Sequence, residues 1–254
     1  MKSRSVQPTS RRDRHREETY QEIKEIARRQ LAEQGPGGIA LRAIAREMGM
    51  TAPGLYRYYA SLDDLITALI VDYYGELLGA LEAARDALPV DNVGGRLHAA
   101  SRAFRSWSVQ HPVEFGLIFG APLPRYARPP QGPREEAGAR FGQVFRGLFT
   151  QLWARSPFPL PEEGSIDPRL VTQLERYART SGVPLPPSAG YVFLACWVRI
   201  YGAVAMEVFG QVRWAVPEGG PLFETELRQL STMLGISDEY ESPDTTASEV
   251  GSGP

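Results

Sequence analysis

The sequence has a single cysteine, Cys196, and only three histidines, so it lacks the residues on which several kinds of site depend. One cysteine cannot form a disulfide within the chain, which excludes a disulfide-stabilised scaffold. The histidines are scattered, and no His/Cys cluster has the spacing of a metal site. No Ser/His/Asp set has a recognisable context, and no glycine-rich loop follows a strand. We therefore predict no catalytic residue, no metal ligand and no cofactor, and we expect that the protein is not an enzyme.

Long apolar runs are also scarce. The stretch Met1–Arg16 is polar and basic, which is not the pattern of a secretory signal. The one long apolar run, Ala189–Met206, has Arg199 near its middle, and a charge at that depth in lipid costs about 2.5–3.5 kcal/mol. We interpret this run as a buried helix and expect a cytoplasmic protein with no membrane contact.

Charge is distributed unevenly along the chain. Residues 1–60 contain 12 Lys and Arg against 7 Asp and Glu, whereas the remaining residues contain 16 against 23. A basic head on an acidic body indicates that the head meets a polyanion. The hydrophobic share of 43% in 254 residues is enough for a sizeable core.

Hydrophobic spacing predicts helices and no run of alternating strands, hence an all-α fold. Thr51 is expected to cap the third helix, and Ser61, with Asp64 three residues on, the fourth. The predicted helices lie at about residues 16–34, 41–48, 51–60, 61–81, 95–110, 113–120, 135–155, 169–181, 187–211 and 223–234. The predicted organisation is a disordered basic arm (1–15), a helix-turn-helix domain (16–60), a ligand-binding and dimerisation domain (61–236) and a disordered acidic tail (237–254).

The second and third helices are short and meet at residues 49–51. This arrangement fits the helix-turn-helix plan, whose second helix enters the major groove of DNA. On a helical wheel, Leu55 and Tyr59 share one side and are expected to pack on the first two helices. Tyr56 and Arg57 lie broadly opposite, where a phenol and a guanidinium can contact phosphates or base edges. The alternatives are that Tyr56 and Tyr58 only pack and that Arg57 is a solvated charge.

The sequence of residues 39–59, IALRAIAREMGMTAPGLYRYY, closely resembles the N-terminal signature of the TetR/AcrR family of regulators. Residues 61–65 match the start of that family's fourth helix, and the resemblance is sharp over residues 16–70. It implies phosphate contacts from Arg42, Tyr56 and Tyr58. The residues it places at or near the groove are Thr51, Ala52, Pro53, Gly54 and Arg57.

One position departs from the family pattern. Where the family usually has a lysine at the start of the fourth helix, this chain has Leu62, so that phosphate contact is expected to be missing. Arg57 is one candidate substitute. The basic arm is the other, with Arg11, Arg12, Arg14 and Arg16. The sequence does not decide between them.

The downstream part resembles, more softly, a C-terminal domain class named for a Trp-His-Gly motif. The similarity lies in Trp197, Tyr201-Gly202, Glu207 and Phe209-Gly210, with Tyr201 in place of the histidine. In this class the last two helices of each subunit pair across a two-fold axis, which implies a homodimer. The predicted interface residues are Val198, Ala205, Phe209, Leu227, Leu230 and Leu234.

The body is rich in aromatic residues, some of which we predict to line a pocket for an apolar or aromatic small molecule. Core packing is the alternative for each of them. Arg199 has two interpretations, as a group that binds an anionic ligand or as a member of a salt bridge. Cys196 is expected to be a small core residue. The candidate pocket residues are Trp107, Phe115, Phe119, Phe145, Trp153, Trp197 and Tyr201.

These observations predict an all-α homodimer that binds a palindromic operator in double-stranded DNA and represses transcription until a small molecule binds. Repression is implied by the resemblance alone. One alternative is an activator, or a DNA-binding regulator without a small-molecule ligand. Another is a helical enzyme or carrier whose basic head merely caps a bundle.

Overall fold

The computed structural model describes residues 11–120, 126, 131–182 and 185–242. Within these ranges the fold is all-α, as predicted, and no strand is present. Two short 3₁₀ turns, Pro36–Gly38 and Ser237–Glu239, accompany the helices. The helices are α1 (Arg11–Gln34), α2 (Leu41–Glu47), α3 (Ala52–Leu55), α4 (Leu62–Asp86), α5 (Val93–Gln110), α6 (Pro112–Phe119), α7 (Pro133–Arg155), α8 (Pro168–Ser181), α9 (Pro187–Val208) and α10 (Gly219–Met233).

The chain forms two compact units. The N-terminal unit comprises residues 1–73 and 113–136, and the body unit comprises residues 74–112 and 137–254. The division therefore falls inside α4, and not at residue 60 where the sequence pattern changes. The first half of α4 is tied to α1 because Asp72 accepts hydrogen bonds or ion pairs from Lys24 at 2.8 Å and from Arg28 at 3.2 Å. The segment 113–136 joins the same unit through Tyr126, whose hydroxyl lies 2.9 Å from that of Thr67.

α1 is longer than predicted, since it begins at Arg11 and not at Arg16. Among the added residues, His15 lies 3.6 Å from Glu18, one turn on, and its carbonyl accepts a hydrogen bond from Thr19 Oγ1 at 2.9 Å. The prediction of a disordered arm is therefore wrong for residues 11–15, while residues 1–10 of that arm lie outside the described residues.

α3 is shorter than predicted, because it ends at Leu55 and not near Ala60. The chain continues in tight turns, with the Tyr58 N–H donating to the Leu55 carbonyl at 2.8 Å. Both predicted caps are confirmed. Thr51 Oγ1 accepts from the Gly54 N–H, and Ser61 Oγ accepts from the Asp64 N–H at 3.1 Å.

The body unit is built around α9, which packs against α5, α8 and α10. Its centre is a ring cluster in which Trp197 lies 5.5 Å from Phe104 and 5.6 Å from Phe141. α9 is, by length and composition, long and apolar enough to cross a membrane, as core helices of soluble proteins also can be. In this fold Arg199, near its middle, pairs with Glu226 of α10 at 2.6 Å. The salt-bridge interpretation of Arg199 is thus confirmed.

After α10 the described chain continues to residue 242. The Glu239 carboxylate accepts a hydrogen bond from the Gly94 N–H at 2.7 Å and pairs with Arg155. The Tyr240 ring packs edge-on against His98, with centroids 5.5 Å apart. The prediction of a disordered tail is therefore wrong for residues 237–242, because these contacts hold them on the body unit. Residues 243–254 lie outside the described ranges.

Candidate functional site

The joint between α2 and α3 depends on a left-handed backbone at Gly49, where φ is +65°. A side chain there would be strained, whereas glycine adopts this conformation freely. The Met50 N–H then donates to the Ala45 carbonyl at 2.8 Å, which closes the end of α2. This turn directs the chain into α3, which Thr51 caps.

α3 has one buried and one exposed side. Leu55 is fully buried and Tyr59 nearly so, as the wheel predicted. Thr51, Pro53, Tyr56 and Arg57 are exposed, whereas Ala52, Gly54 and Tyr58 are half-buried. The residues that the resemblance assigns to the groove therefore share one accessible region.

Tyr58 has a packing role as well as an accessible edge. Its ring meets Tyr20 of α1 edge-on at 5.1 Å, and Tyr20 meets Tyr59 at 5.5 Å. Burial, with a contribution from Asp72, raises the pKa of Tyr59 to about 12, so this phenol is neutral at physiological pH. These ring contacts hold Tyr58 and Tyr59, which follow α3, against α1.

Two groups of cations in the N-terminal unit differ in their partners. Those on the inner turns of α1 are neutralised by carboxylates, because Lys24 and Arg28 pair with Asp72, and Arg29 pairs with Glu47. In the part of the chain that the structure describes, three exposed arginines around α2 and α3 form no ion pair: Arg42, Arg46 and Arg57. Leu62, at the start of α4, is half-buried and is followed by two aspartates. Uncompensated positive charge thus lies beside the exposed side of α3.

The body unit contains a mostly apolar cavity of about 30 Å³ between α5, α7, α9 and α10. At roughly 10–15 Å³ for one water molecule, this space holds about two waters and no aromatic ring. Two of the candidate pocket residues, Phe145 and Trp197, line it. Sequence reasoning missed the other lining residues, which are Leu97, His98, Ser101, Phe149, Phe193, Cys196, Ile200, Leu227, Leu230, Ser231 and Leu234.

The remaining candidate pocket residues lie elsewhere, and their assignment is corrected to ring packing. Trp107 stacks on His111 with centroids 4.9 Å apart, and Trp153 packs on Phe158 at the same distance. Tyr201 packs beside Trp197 at 5.7 Å without reaching the cavity. Phe115 and Phe119 pack on each other in the N-terminal unit. The abundance of aromatics shows that a core is present but not which rings line a space.

His98 is the main polar group of the cavity and is 2% exposed. Its Nε2 lies 2.7 Å from Ser231 Oγ, and that hydroxyl donates to the Leu227 carbonyl at 2.7 Å. Ser231 therefore accepts from a protonated Nε2. Burial, together with the positive charge of Arg102, lowers the pKa of His98 to about 4, so the ring is neutral near pH 7.

α9 presents an apolar stripe to solvent. At about 100° per residue, Leu194, Val198, Ala205 and Phe209 fall within about 60° of one another. Leu194 is 37%, Val198 60% and Phe209 45% exposed, and Ala205 is half-buried. This stripe, which we call the α9 stripe, contains the three α9 residues predicted for a subunit interface.

The α10 part of the predicted interface is corrected. Leu227, Leu230 and Leu234 are 3%, 3% and 4% exposed and line the cavity of their own chain. They are therefore unavailable to a second subunit. Their spacing of three and four residues indicated a buried face, and the partner of that face is α5 and α9 of the same chain.

Comparisons with known proteins agree with both units. Residues 23–69 match the profile of bacterial regulatory proteins of the tetR family, and residues 97–230 match that of the tetracyclin repressor-like C-terminal domain. An HTH-type transcriptional regulator of Mycobacterium tuberculosis is 32% identical over 220 residues, which are 86% of this chain and 93% of that protein. The crystal structure of the regulatory protein SCO4313 is 31% identical with a TM-score of 0.70, covering 87% of this chain and 98% of that one. RolR, solved with its ligand resorcinol, shares the fold at 14% identity and a TM-score of 0.53, covering 90% and 97%.

Proposed function

The chain belongs to the TetR family of bacterial regulatory proteins, and on that premise we propose that it is a repressor that leaves a palindromic operator when a small molecule binds its body unit. Transcriptional regulation through a helix-turn-helix is the activity of the family. The observation that carries the proposal is the exposed side of α3, flanked by arginines that no carboxylate of the described chain neutralises. We place its action in the cytoplasm, together with the DNA.

The α3 region supplies the groups that DNA recognition needs. Arg57 offers a fork of N–H donors to guanine or phosphate, and the Tyr56 hydroxyl, on a ring that is 46% exposed, reaches a phosphate. The small residues at positions 52–54 allow the backbone to approach the groove closely. Arg42 and Arg46, on α2, supply charge for the flanking backbone.

Selection of DNA fragments by the purified protein should yield a palindrome. Arg57→Ala should weaken binding to it by about 1–3 kcal/mol and relax its sequence preference, because a base contact is lost. Arg176→Ala, on an exposed part of α8, removes the same charge and should bind as wild type. Fluorescence anisotropy measures both. Equal affinity of the wild type for selected and scrambled duplexes would contradict the proposed function.

We propose that the α9 stripe is the surface through which two subunits pair. Regulators of this family are dimers, and the stripe is an apolar surface on a helix that packs elsewhere against α5, α8 and α10. Val198→Asp should therefore give folded monomers by light scattering, with weaker operator binding. Val90→Asp, at a position 73% exposed outside the stripe, should remain dimeric. A dimeric Val198→Asp protein would place the interface elsewhere.

For the effector we propose a small aromatic molecule with a polar substituent, bound in the body cavity. The walls are apolar, and His98, Ser101 and Ser231 offer hydrogen bonds at one side. RolR, which shares the fold, binds resorcinol, a molecule of this kind. Because the cavity is about 30 Å³, binding requires it to enlarge, and the ligand can shift the protein only by its preference for the enlarged state. α4 is continuous between the two units and is the proposed route of the shift.

A calorimetric screen of substituted aromatics tests the effector. A hit should lower operator affinity, and Ile200→Phe, which fills the cavity, should abolish the response while DNA binding persists. Ile200→Val, which enlarges the cavity, should retain the response.

The small volume also favours a second candidate, a regulator without a small-molecule ligand, controlled by its abundance or by a protein partner. Absence of any hit, with normal operator binding, would support this second candidate.

A further inference from the structure

The first two turns of α1, residues 11–18, are exposed on every side. Burial begins only at Thr19 and is complete at Ile23. These two turns therefore extend beyond the core of the N-terminal unit and bury little apolar surface. The exposed side chains of Arg12 and Arg16 are accessible to another molecule.

Two arginines of these turns share one face of the helix, and the carboxylates lie away from that face. At about 100° per residue, Arg12 and Arg16 lie about 40° apart, centred on the direction of Ile23, the side that packs on the core further along. Asp13 and Glu17 lie at least about 80° from that centre, and Glu18 about 140°. Two further arginines, Arg11 and Arg14, lie about 120° and 180° from it.

Arg16 connects this face to the α3 region. Its Nη2 donates to the Tyr20 hydroxyl at 3.3 Å, and its guanidinium lies 5.7 Å from the centre of that ring. Tyr20 in turn meets Tyr58 edge-on at 5.1 Å. This hydrogen bond to a hydroxyl group positions the guanidinium without pairing it with a carboxylate. Lys24 and Arg28, two and three turns later, pair instead with Asp72.

We propose that Arg12 and Arg16 form a stripe that binds backbone phosphates of the operator, beyond the contacts of α3, and supplies the cationic contact that Leu62 cannot make. The inference rests on the proposed DNA-binding function. Arg12 lies about 6 Å from Arg16 along the helix axis, so the stripe contacts more of the backbone than a single cation does. Continuity with Tyr58, and the uncompensated arginines beside α3, favour a polyanion as the partner of this face.

The test compares two double variants with the same change of charge on the same two turns. Arg12→Gln with Arg16→Gln removes the stripe, whereas Arg11→Gln with Arg14→Gln removes two arginines from the other side. Anisotropy titrations over a range of salt concentrations, on selected and scrambled duplexes, give the slope of log affinity against log salt. The stripe variant should reduce this slope by about two for each protomer, since each phosphate contact contributes about 0.9.

The stripe variant should also weaken binding to both duplexes by a similar factor, because phosphate contacts do not read sequence. The matched variant should keep the wild-type slope, and circular dichroism should show both variants folded. Equal loss of slope in the two variants, or no loss in either, would overturn the stripe. Either result leaves the proposed function intact, since the wild-type titration measures operator binding separately. Failure of the wild type to prefer the selected duplex would instead overturn the proposed function.

Discussion

The N-terminal unit exposes arginines such as Arg42 and Arg57 around α2 and α3, whereas several arginines of the body unit pair with carboxylates of other helices. Arg102 of α5 binds Glu224 of α10 through two bonds of 2.8 and 2.9 Å. Arg105, one turn later, makes a similar pair with a glutamate of α9. Arginine side chains are thus accessible to a binding partner around α2 and α3, whereas in the body unit they join helices.

The two units also differ in whether the same residues serve both function and stability. In the N-terminal unit most of the proposed DNA contacts lie outside the core, so function and stability depend largely on different side chains, with the packed ring of Tyr58 as the exception. In the body unit the cavity walls are themselves core residues, such as Leu227 and His98. Substitutions of these wall residues should therefore change the stability of the protein in addition to any effect on ligand binding. Measurements of the stability of single variants test this difference between the two units.

The largest effect is expected for Leu227→Ala. This side chain is 3% exposed and lines the cavity, so truncation removes buried surface and enlarges a space, which costs about 2–5 kcal/mol. Leu160→Ala, at a position 43% exposed, should cost less than about 0.5 kcal/mol. Urea unfolding followed by circular dichroism compares them. A Leu227 variant as stable as the Leu160 variant would mean that the cavity wall is dispensable.

The second effect concerns pH. Burial lowers the pKa of His98 from 6.5 to about 4, so the unfolded chain binds more protons than the folded one between these values. Stability should therefore be full above pH 6.5 and fall as the pH drops toward 4, by about 3 kcal/mol in all. His98→Asn should remove this component from the urea midpoints. An unchanged pH profile in that variant would assign the dependence to other groups.

A smaller effect is expected at the start of α10. A Cβ on Gly219 would lie 2.2 Å from Glu207 Cδ, so Gly219→Ala must displace the carboxylate that Arg105 binds at 2.6 Å. Because the Arg105–Glu207 pair is partly exposed, the variant should lose only about 1–2 kcal/mol of stability. Gly75→Ala, in an open position on α4, should instead stabilise by about 0.5–1 kcal/mol. Thermal unfolding of both variants would show opposite signs, and the same sign would contradict the packing at Gly219.

The smallest effect on stability is expected for Arg57→Ala, the variant proposed to lose operator affinity. Its side chain is exposed and lies off the core face of α3, so the free energy of unfolding should change by less than about 0.5 kcal/mol. A larger loss would show that Arg57 also supports the fold, and the contrast between the two units would not hold.

Local sequence signals predicted the helices well because each depends on neighbouring residues. Hydrophobic spacing located the helices, and the caps at Thr51 and Ser61 and the turn at Gly49 were read from single residues. The residues around α3 followed from a family signature. The charged start of α1 was misread because its stability comes from side-chain pairs and not from an apolar face.

Long-range partners could not be predicted in the same way. The spacing of Leu227, Leu230 and Leu234 shows a buried face, yet it does not say whether the same chain or a second subunit covers it. The same limit applies to the body aromatics, since packing rings and cavity-lining rings have the same composition. It also applies to α6, which joins the N-terminal unit although its neighbours in sequence, α5 and α7, belong to the body.

The position of Cys196 gives the protein an internal chemical probe. The thiol is buried, which raises its pKa to about 12, and it lines the cavity between α9 and its neighbours. The thiolate is the form that attacks electrophilic thiol reagents, so modification in the closed state should be very slow. Because the chain has no other cysteine, the rate of labelling of the whole protein reports how often this one site opens. Mass spectrometry can follow that rate without any engineered label.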